Sequence, residues 1–150
     1  MALTYTTKHF NVLTQHELYE IMKLRQEVFV VEQNCPYLDA DGKDVYGYHL
    51  MGKNDQHELQ CYTRLLPEGI SYSGFVSIGR VINSSKIRGK GFGKELMHIS
   101  IQQIKELYPG LPIKIGAQAY LKKFYESFGF IDLGTPYLED NIPHILMELR

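Results

Sequence analysis

The chain is predicted to adopt an α/β (α+β) fold, a mixed sheet with helices on its faces. Three observations predict this. Short strand-like runs alternate with stretches of helical period, a polar NDQ turn at 54–56 joins two of those runs as an antiparallel hairpin, and the glycine-rich RGKGFG at 88–93 sits where a strand gives way to a helix. Residues 8–13 (KHFNVL) open the order as a short strand. Thr14 with Glu17 three residues later forms a capping box, and Leu18, Ile21, Met22, Arg25, Val28 and Phe29 follow at helical spacing to about residue 30, with one stray charge in the stripe. The turn-rich segment 31–47 is a long loop or a loop holding a short helix. Strands are expected at 47–53 and 58–66, then at 75–83, where the interior Gly79 signals a bulge or close backbone approach. From Gly93 the apolar face of Leu96, Met97, Ser100, Ile101, Ile104, Leu107 and Tyr108 marks a helix that Pro109-Gly110 ends. A strand at 112–117, a helix at 119–128 closed by Gly129, and strands near 130–133 and 144–149 complete the order.

The chain has the length of one ordinary domain, 1–150, and can bury roughly 70% of the surface exposed when unfolded. Hydrophobic residues make up 44% and charged residues 22%, and no low-complexity stretch interrupts them. A net charge of -1 speaks against a nucleic-acid partner, which would call for a large cationic excess. MALTYTTKHF lacks the features of a signal peptide and no run is long enough to span a bilayer, so a cytoplasmic protein without a membrane partner is expected. Cys35 and Cys61 have no paired spacing and are expected to be reduced, structural thiols.

The segment 86–94 concentrates the chemistry. Gly89, Gly91 and Gly93 let backbone approach an anion, while Lys86, Arg88, Lys90 and Lys94 bring four positive charges and no acid. Placed before a helix, these groups suit a polyphosphate. A P-loop would need glycine at 88 and Ser or Thr at 95, where Arg88 and Glu95 stand, and a dinucleotide fingerprint would need glycine at 94, where Lys94 stands. The alternative is a glycine-rich turn on a solvated basic face.

Strand FVSIGRVIN, then R-x-x-G-x-G at Arg88, Gly91 and Gly93, then an amphipathic helix, resembles the coenzyme A motif of GNAT N-acetyltransferases. The strand PIKIGA followed by AYLKKFYESFGF resembles that superfamily's next motif. LRQEVFVVEQNCPYLDADGKD, GAQAYLKKFYESFGF and IPHILME further resemble its ElaA-like branch, over roughly residues 24–149. The resemblance implies the GNAT fold, a mostly antiparallel central sheet with helices on both faces and a splayed strand pair holding an acyl-coenzyme A. It also implies acetyl-coenzyme A as co-substrate, no metal, and transfer of the acyl group to an amine of a small molecule or peptide, by a monomer or homodimer.

Carried onto this sequence, the family's pantetheine contacts fall on the main chain of Val81, Ile82 and Asn83. Its diphosphate contacts fall on Arg88, Gly89, Lys90, Gly91, Phe92, Gly93 and Lys94, with further coenzyme contacts from Gln118 and Lys122. Tyr125 occupies the position in FYE that protonates the departing thiolate; a helical tyrosine without that motif would be read as packing. Strand 75–83 carries no carboxylate, unlike family members with a glutamate there, so the base is open among Glu32, His49, His98 and His144. Five acids and one base lie between Glu27 and Asp44, where these enzymes commonly build the acceptor site. Glu32, Tyr37, Asp39, Asp41, Asp44 and His144 are therefore acceptor-site candidates, the acids forming a negative wall for a cationic amine. A solvated loop is the bland alternative. A calcium loop starting at Asp39 fails because Leu50 occupies its twelfth position. Two other functions share these motifs: a non-catalytic coenzyme A-binding regulator, and a lactone-synthase-like acyltransferase using a longer acyl donor.

Overall fold

The computed structural model describes residues 2–150. Seven strands and three helices succeed one another: β1 (Thr4–His9), α1 (Gln15–Arg25), β2 (Tyr48–Lys53), β3 (Leu59–Leu66), β4 (Ser77–Asn83), α2 (Phe92–Leu107), β5 (Ile113–Gln118), α3 (Lys122–Glu126), β6 (Ile131–Glu139) and β7 (Ile142–Leu149). Strands β1 to β4 form one antiparallel sheet in sequence order, and β5, β7 and β6 form a second, also antiparallel. The two meet through a parallel bridge, Val76 opposite Ile113, closed by Val76 N–H to Pro112 O at 3.0 Å and Lys114 N–H to Val76 O at 2.9 Å. Past that bridge β4 and β5 diverge, which is the splayed pair expected.

Alternation along the central strands places helices on opposite faces. Tyr62 of β3 and Met51 of β2 pack with Ile21 and Leu24 of α1 and with Val28 just beyond it. Their neighbours Cys61 and Leu50 pack with Leu96 of α2, and Leu65 joins Met97 and Ile104 in the core shared with Ile115 and Met147. Helix α1 opens with the expected box: Glu17 N–H donates to Thr14 Oγ1 at 3.1 Å and Thr14 N–H to Glu17 Oε1 at 2.8 Å. It continues as a wider π-helical segment, Gln26–Glu32, before the loop, which holds one short 3-10 turn at Asp44–Tyr46. Among the described residues no helix is long and apolar enough to cross a membrane.

Two strands lie elsewhere than expected. The first is Thr4–His9, and 10–12 within the anticipated 8–13 is a 3-10 turn held by Asn11 N–H donating to His9 Nδ1 at 3.1 Å. The edge strand TYTTKH has threonines rather than an apolar run, so it gave little hydrophobic signal. Strand β6 runs on to Glu139, because a bulge absorbs Gly134, at φ 73°, before the ladder resumes at Pro136. Asp140 and Asn141, both left-handed, then turn the chain into β7.

Candidate active site

The signal at Gly79 marks a real bulge. Arg64 of β3 pairs with Gly79 and Tyr62 with Ile82, so β4 carries one extra residue, and Arg80 takes a left-handed φ of 52°. The bulge bends β4 away from β5 and opens a cleft of about 670 Å³ between the two sheets. Val81, Ile82 and Asn83 line it along β4 and Arg88 from the loop that follows, Gln118 lies at the end of β5, and Tyr125 of α3 forms part of its wall. Glu32, Asp39, Asp41 and His144 also reach it.

The glycine loop leads from β4 to the start of α2. Gly89 and Gly91 have φ of 76° and 86°, and a Cβ built on either would meet nothing within 4 Å, so their backbone faces open space. Gly91 caps α2 without any side-chain hydrogen bond, leaving the first N–H groups free for an anion. Gly93 has a different reason: a Cβ there would come within 3.2 Å of Asn83 Nδ2. These features fit a diphosphate. Lys90 and Lys94 are exposed beside them, and Phe92 instead packs toward the core formed by Leu50 and Leu96. Arg88 is already engaged, donating from Nε to Asn83 O at 3.0 Å and pairing with Glu32 at 2.6 Å. Lys122 pairs with Asp132 at 3.1 Å, away from the cleft lining.

Tyr125 is 5% exposed, edge-to-face with Phe124 and Phe130, and burial pushes its phenol up to about 12. Among the described residues its hydroxyl makes no side-chain hydrogen bond, so it keeps its proton at neutral pH with no fixed acceptor. Of the other titratable candidates, His49 is fully buried, and its Nε2 and Nδ1 are 3.0 Å from Asp44 O and 2.6 Å from Tyr62 Oη; burial lowers its pKa. His98 is exposed on α2 against Phe128. Neither lines the cleft.

The negative wall expected of segment 27–44 is corrected by its partners. Arg25, the stray charge in the α1 stripe, is completely buried and pairs at 2.6 Å with both Asp39 and Asp44. Arg64 of β3 pairs with Asp41 at 2.8 Å and Asp44 at 2.9 Å, and Arg80 of the bulge pairs with Asp39 at 2.8 Å and Asp41 at 3.3 Å. Burial alone would raise the Asp41 carboxyl, but the Arg64 hydrogen bonds and charge, the Lys43 N–H and Arg80 outweigh it and hold it at about 2. Burial opposes ionisation of Asp44 as well, and Arg25 and Arg64 still keep it below the usual carboxylate range. The wall is thus a neutralised anchor. Asp44 belongs to the anchor and lies outside the cleft lining, as does Tyr37, whose hydroxyl accepts from Asn141 Nδ2 at 2.8 Å. Sequence reasoning missed Arg64 and Arg80 as partners; the charge in the α1 stripe was the one available signal.

The family profile described as "Acetyltransferase (GNAT) domain" matches residues 46–150. Protein ElaA of Escherichia coli strain K12 is 46% identical over 142 residues, covering 93% of this chain and 91% of that protein. A UPF0039 protein of Synechocystis is 42% identical over 150 residues, covering 100% and 97%. Among solved structures, an acyl-CoA N-acyltransferase from Pseudomonas aeruginosa superposes with a TM-score of 0.94 at 44% identity, covering 99% of this chain and 100% of that one. An aminoglycoside 6'-N-acetyltransferase complexed with coenzyme A shares the fold alone, with a TM-score of 0.68 at 16% identity and 95% of each chain covered. The bulged strand, Arg88 of the glycine loop and Tyr125 of the FYE helix border one cleft in a chain that these matches cover nearly end to end, and the protein belongs to the GNAT acetyltransferase family, in its ElaA-like branch.

Proposed function

We propose that the protein is an acyl-coenzyme A-dependent N-acyltransferase that moves an acetyl group from acetyl-coenzyme A to an amine by direct attack. The observation that carries this reading is the cleft itself. It opens between β4 and β5, beside an uncapped, glycine-lined helix start, and has a buried phenol in its wall. In this reading the N–H groups following Gly91, with Arg88 released from Glu32, hold the diphosphate. Main-chain groups of Val81, Ile82 and Asn83 pair with the pantetheine arm as an added strand would. The coenzyme supplies a thioester whose carbonyl is open to a nucleophile. Tyr125 gives its proton to the departing sulfur. A free thiol titrates near 8.5, well below the phenol, yet a thiolate formed in the same buried wall loses its hydration too, which raises its proton affinity toward that of Tyr125.

The acceptor is an amine of a small molecule or peptide. Because Asp39 and Asp41 are neutralised, a cationic amine approaching the cleft meets Glu139 and Asp140 at the rim, neither paired with a lysine or arginine among the described residues. Both cysteines are free, which supports a reducing, cytoplasmic setting. Incubating cell extract with the protein and isotopically labelled acetyl-coenzyme A, then following the label by mass spectrometry, tests the reading. Label on the nitrogen of a distinct acceptor is expected; label that never leaves the coenzyme would reduce the protein to a coenzyme-binding regulator.

A further inference from the structure

Attack by an amine of ordinary basicity, with a pKa of about 10.4, requires that a proton first leave its nitrogen. Two of the four bases considered from the sequence, His49 and His98, lie off the cleft. Glu32 lines it beside Arg88, at 2.6 Å, at the glycine-loop end where the diphosphate would rest, and Glu139 is a largely solvent-exposed carboxylate at the rim. His144 remains.

The geometry points to His144 as the general base for the acceptor amine, an inference that rests on the proposed acyl transfer. In the ladder of β7 it stands opposite Gln118 of β5 on one side and Tyr137 of β6 on the other. The Tyr137 ring stacks on it at 5.4 Å and 29°. Nδ1 lies 2.7 Å from the carbonyl oxygen of Ile142. A carbonyl only accepts, so Nδ1 carries the proton, and in the neutral ring the lone pair is on Nε2. The stacked Tyr137 ring steadies the imidazole, and the Ile142 carbonyl fixes the tautomer, in a residue that is 6% exposed and borders the same cleft as Tyr125. Glu139 Oε2 lies 3.7 Å from Nε2. Tyr72, Tyr120, Tyr137 and Asp140 are further titratable groups of the cleft lining.

The protons balance. The acceptor ammonium gives one proton to Nε2, and the neutral nitrogen attacks the thioester carbon. The new C–N bond forms, the C–S bond breaks, and the sulfur takes a proton from Tyr125. The second nitrogen proton returns to the phenolate, and His144 passes its proton to solvent, leaving amide, thiol and one released proton.

The test measures thiol release from acetyl-coenzyme A with two acceptor probes: lysinamide, whose side-chain amine is protonated at pH 7, and aniline, which is already neutral there. His144→Ala should lower kcat with lysinamide by about 10²- to 10⁴-fold, lower that with aniline by less than about tenfold, and leave the KM of the coenzyme unchanged. Imidazole added to the buffer should restore part of the lysinamide turnover. His144→Gln keeps a donor for the Ile142 carbonyl and guards against a folding defect; it should melt near the wild type and show the same split between probes. Equal losses with both amines and no response to imidazole would make His144 structural and overturn the assignment. A wild-type protein that releases no thiol with either amine would instead overturn the acyltransfer reading beneath it.

Discussion

In the proposed reaction two residues give the sharpest tests. Tyr125 lies in a wall dry enough to raise its phenol to about 12, and Tyr125→Phe keeps the edge-to-face packing on Phe124 and Phe130 while removing the proton. The variant should fold and bind coenzyme as before but lose about 10²- to 10⁴-fold in kcat, or about 3 to 5 kcal/mol of barrier, in a thiol-release assay. The loss should shrink as the leaving thiol is made more acidic, because an acidic thiolate departs unaided. Gly91 is the second. Its φ of 86° is one a β-branched residue adopts only under strain, and its open backbone is where the diphosphate would rest. Calorimetry on Gly91→Val should show coenzyme binding weakened at least about tenfold, with a cost in stability of about 1 to 2 kcal/mol that leaves the domain folded. Unaltered affinity would move the phosphate site elsewhere.

Among the elements, the loop after α1 is organised by ions rather than by an apolar core. Arg25 from the helix, Arg64 from β3 and Arg80 from the β4 bulge share Asp39, Asp41 and Asp44, so the loop is fastened to the strand that bounds the cleft. Removing a carboxylate strands buried guanidinium charge. Asp44→Asn deprives both Arg25 and Arg64 of a partner and should cost about 3 to 5 kcal/mol, which at about 2 to 4 °C per kcal/mol lowers Tm by roughly 10 °C. The cluster also sets an acid limit. The folded Asp41 carboxyl, at about 2, lies below the unfolded value of about 3.9, so its contribution is complete above pH 4 and is lost as pH falls toward 2. Urea melts of Asp41→Asn should therefore depend less on pH than the wild type between about 4 and 2.

At the scale of the whole molecule, the proposed function depends on two antiparallel sheets joined at Val76 and Ile113 and parted beyond them. A coenzyme lying in that gap would bridge both halves and bind only the folded chain. With micromolar affinity and millimolar ligand, linkage predicts a gain of about 4 kcal/mol, a rise in Tm of roughly 8 to 16 °C. A melting curve indifferent to millimolar acetyl-coenzyme A would count against the site.

The amino-acid sequence by itself determined the parts whose signals are local. The Thr14–Glu17 box, the apolar face of α2, the turn formers of RGKGFG and the glycine after the FYE helix each act on neighbours within a turn or two of chain, so their meaning is legible without the fold. The bulge at Gly79 was legible for the same reason. The weakly apolar β1 and the interrupted β6 were not, because an edge strand is defined by the ladder it joins rather than by its own side chains. Tertiary structure alone decided the charges: Asp39 meets Arg25 across 14 positions and Arg80 across 41, so an acidic run that looked free proved to be neutralised. It also decided which histidine faces the cleft and which of its nitrogens holds the lone pair. Those outcomes require partners that only folding brings within hydrogen-bond reach, and no pattern of spacing along a chain records them.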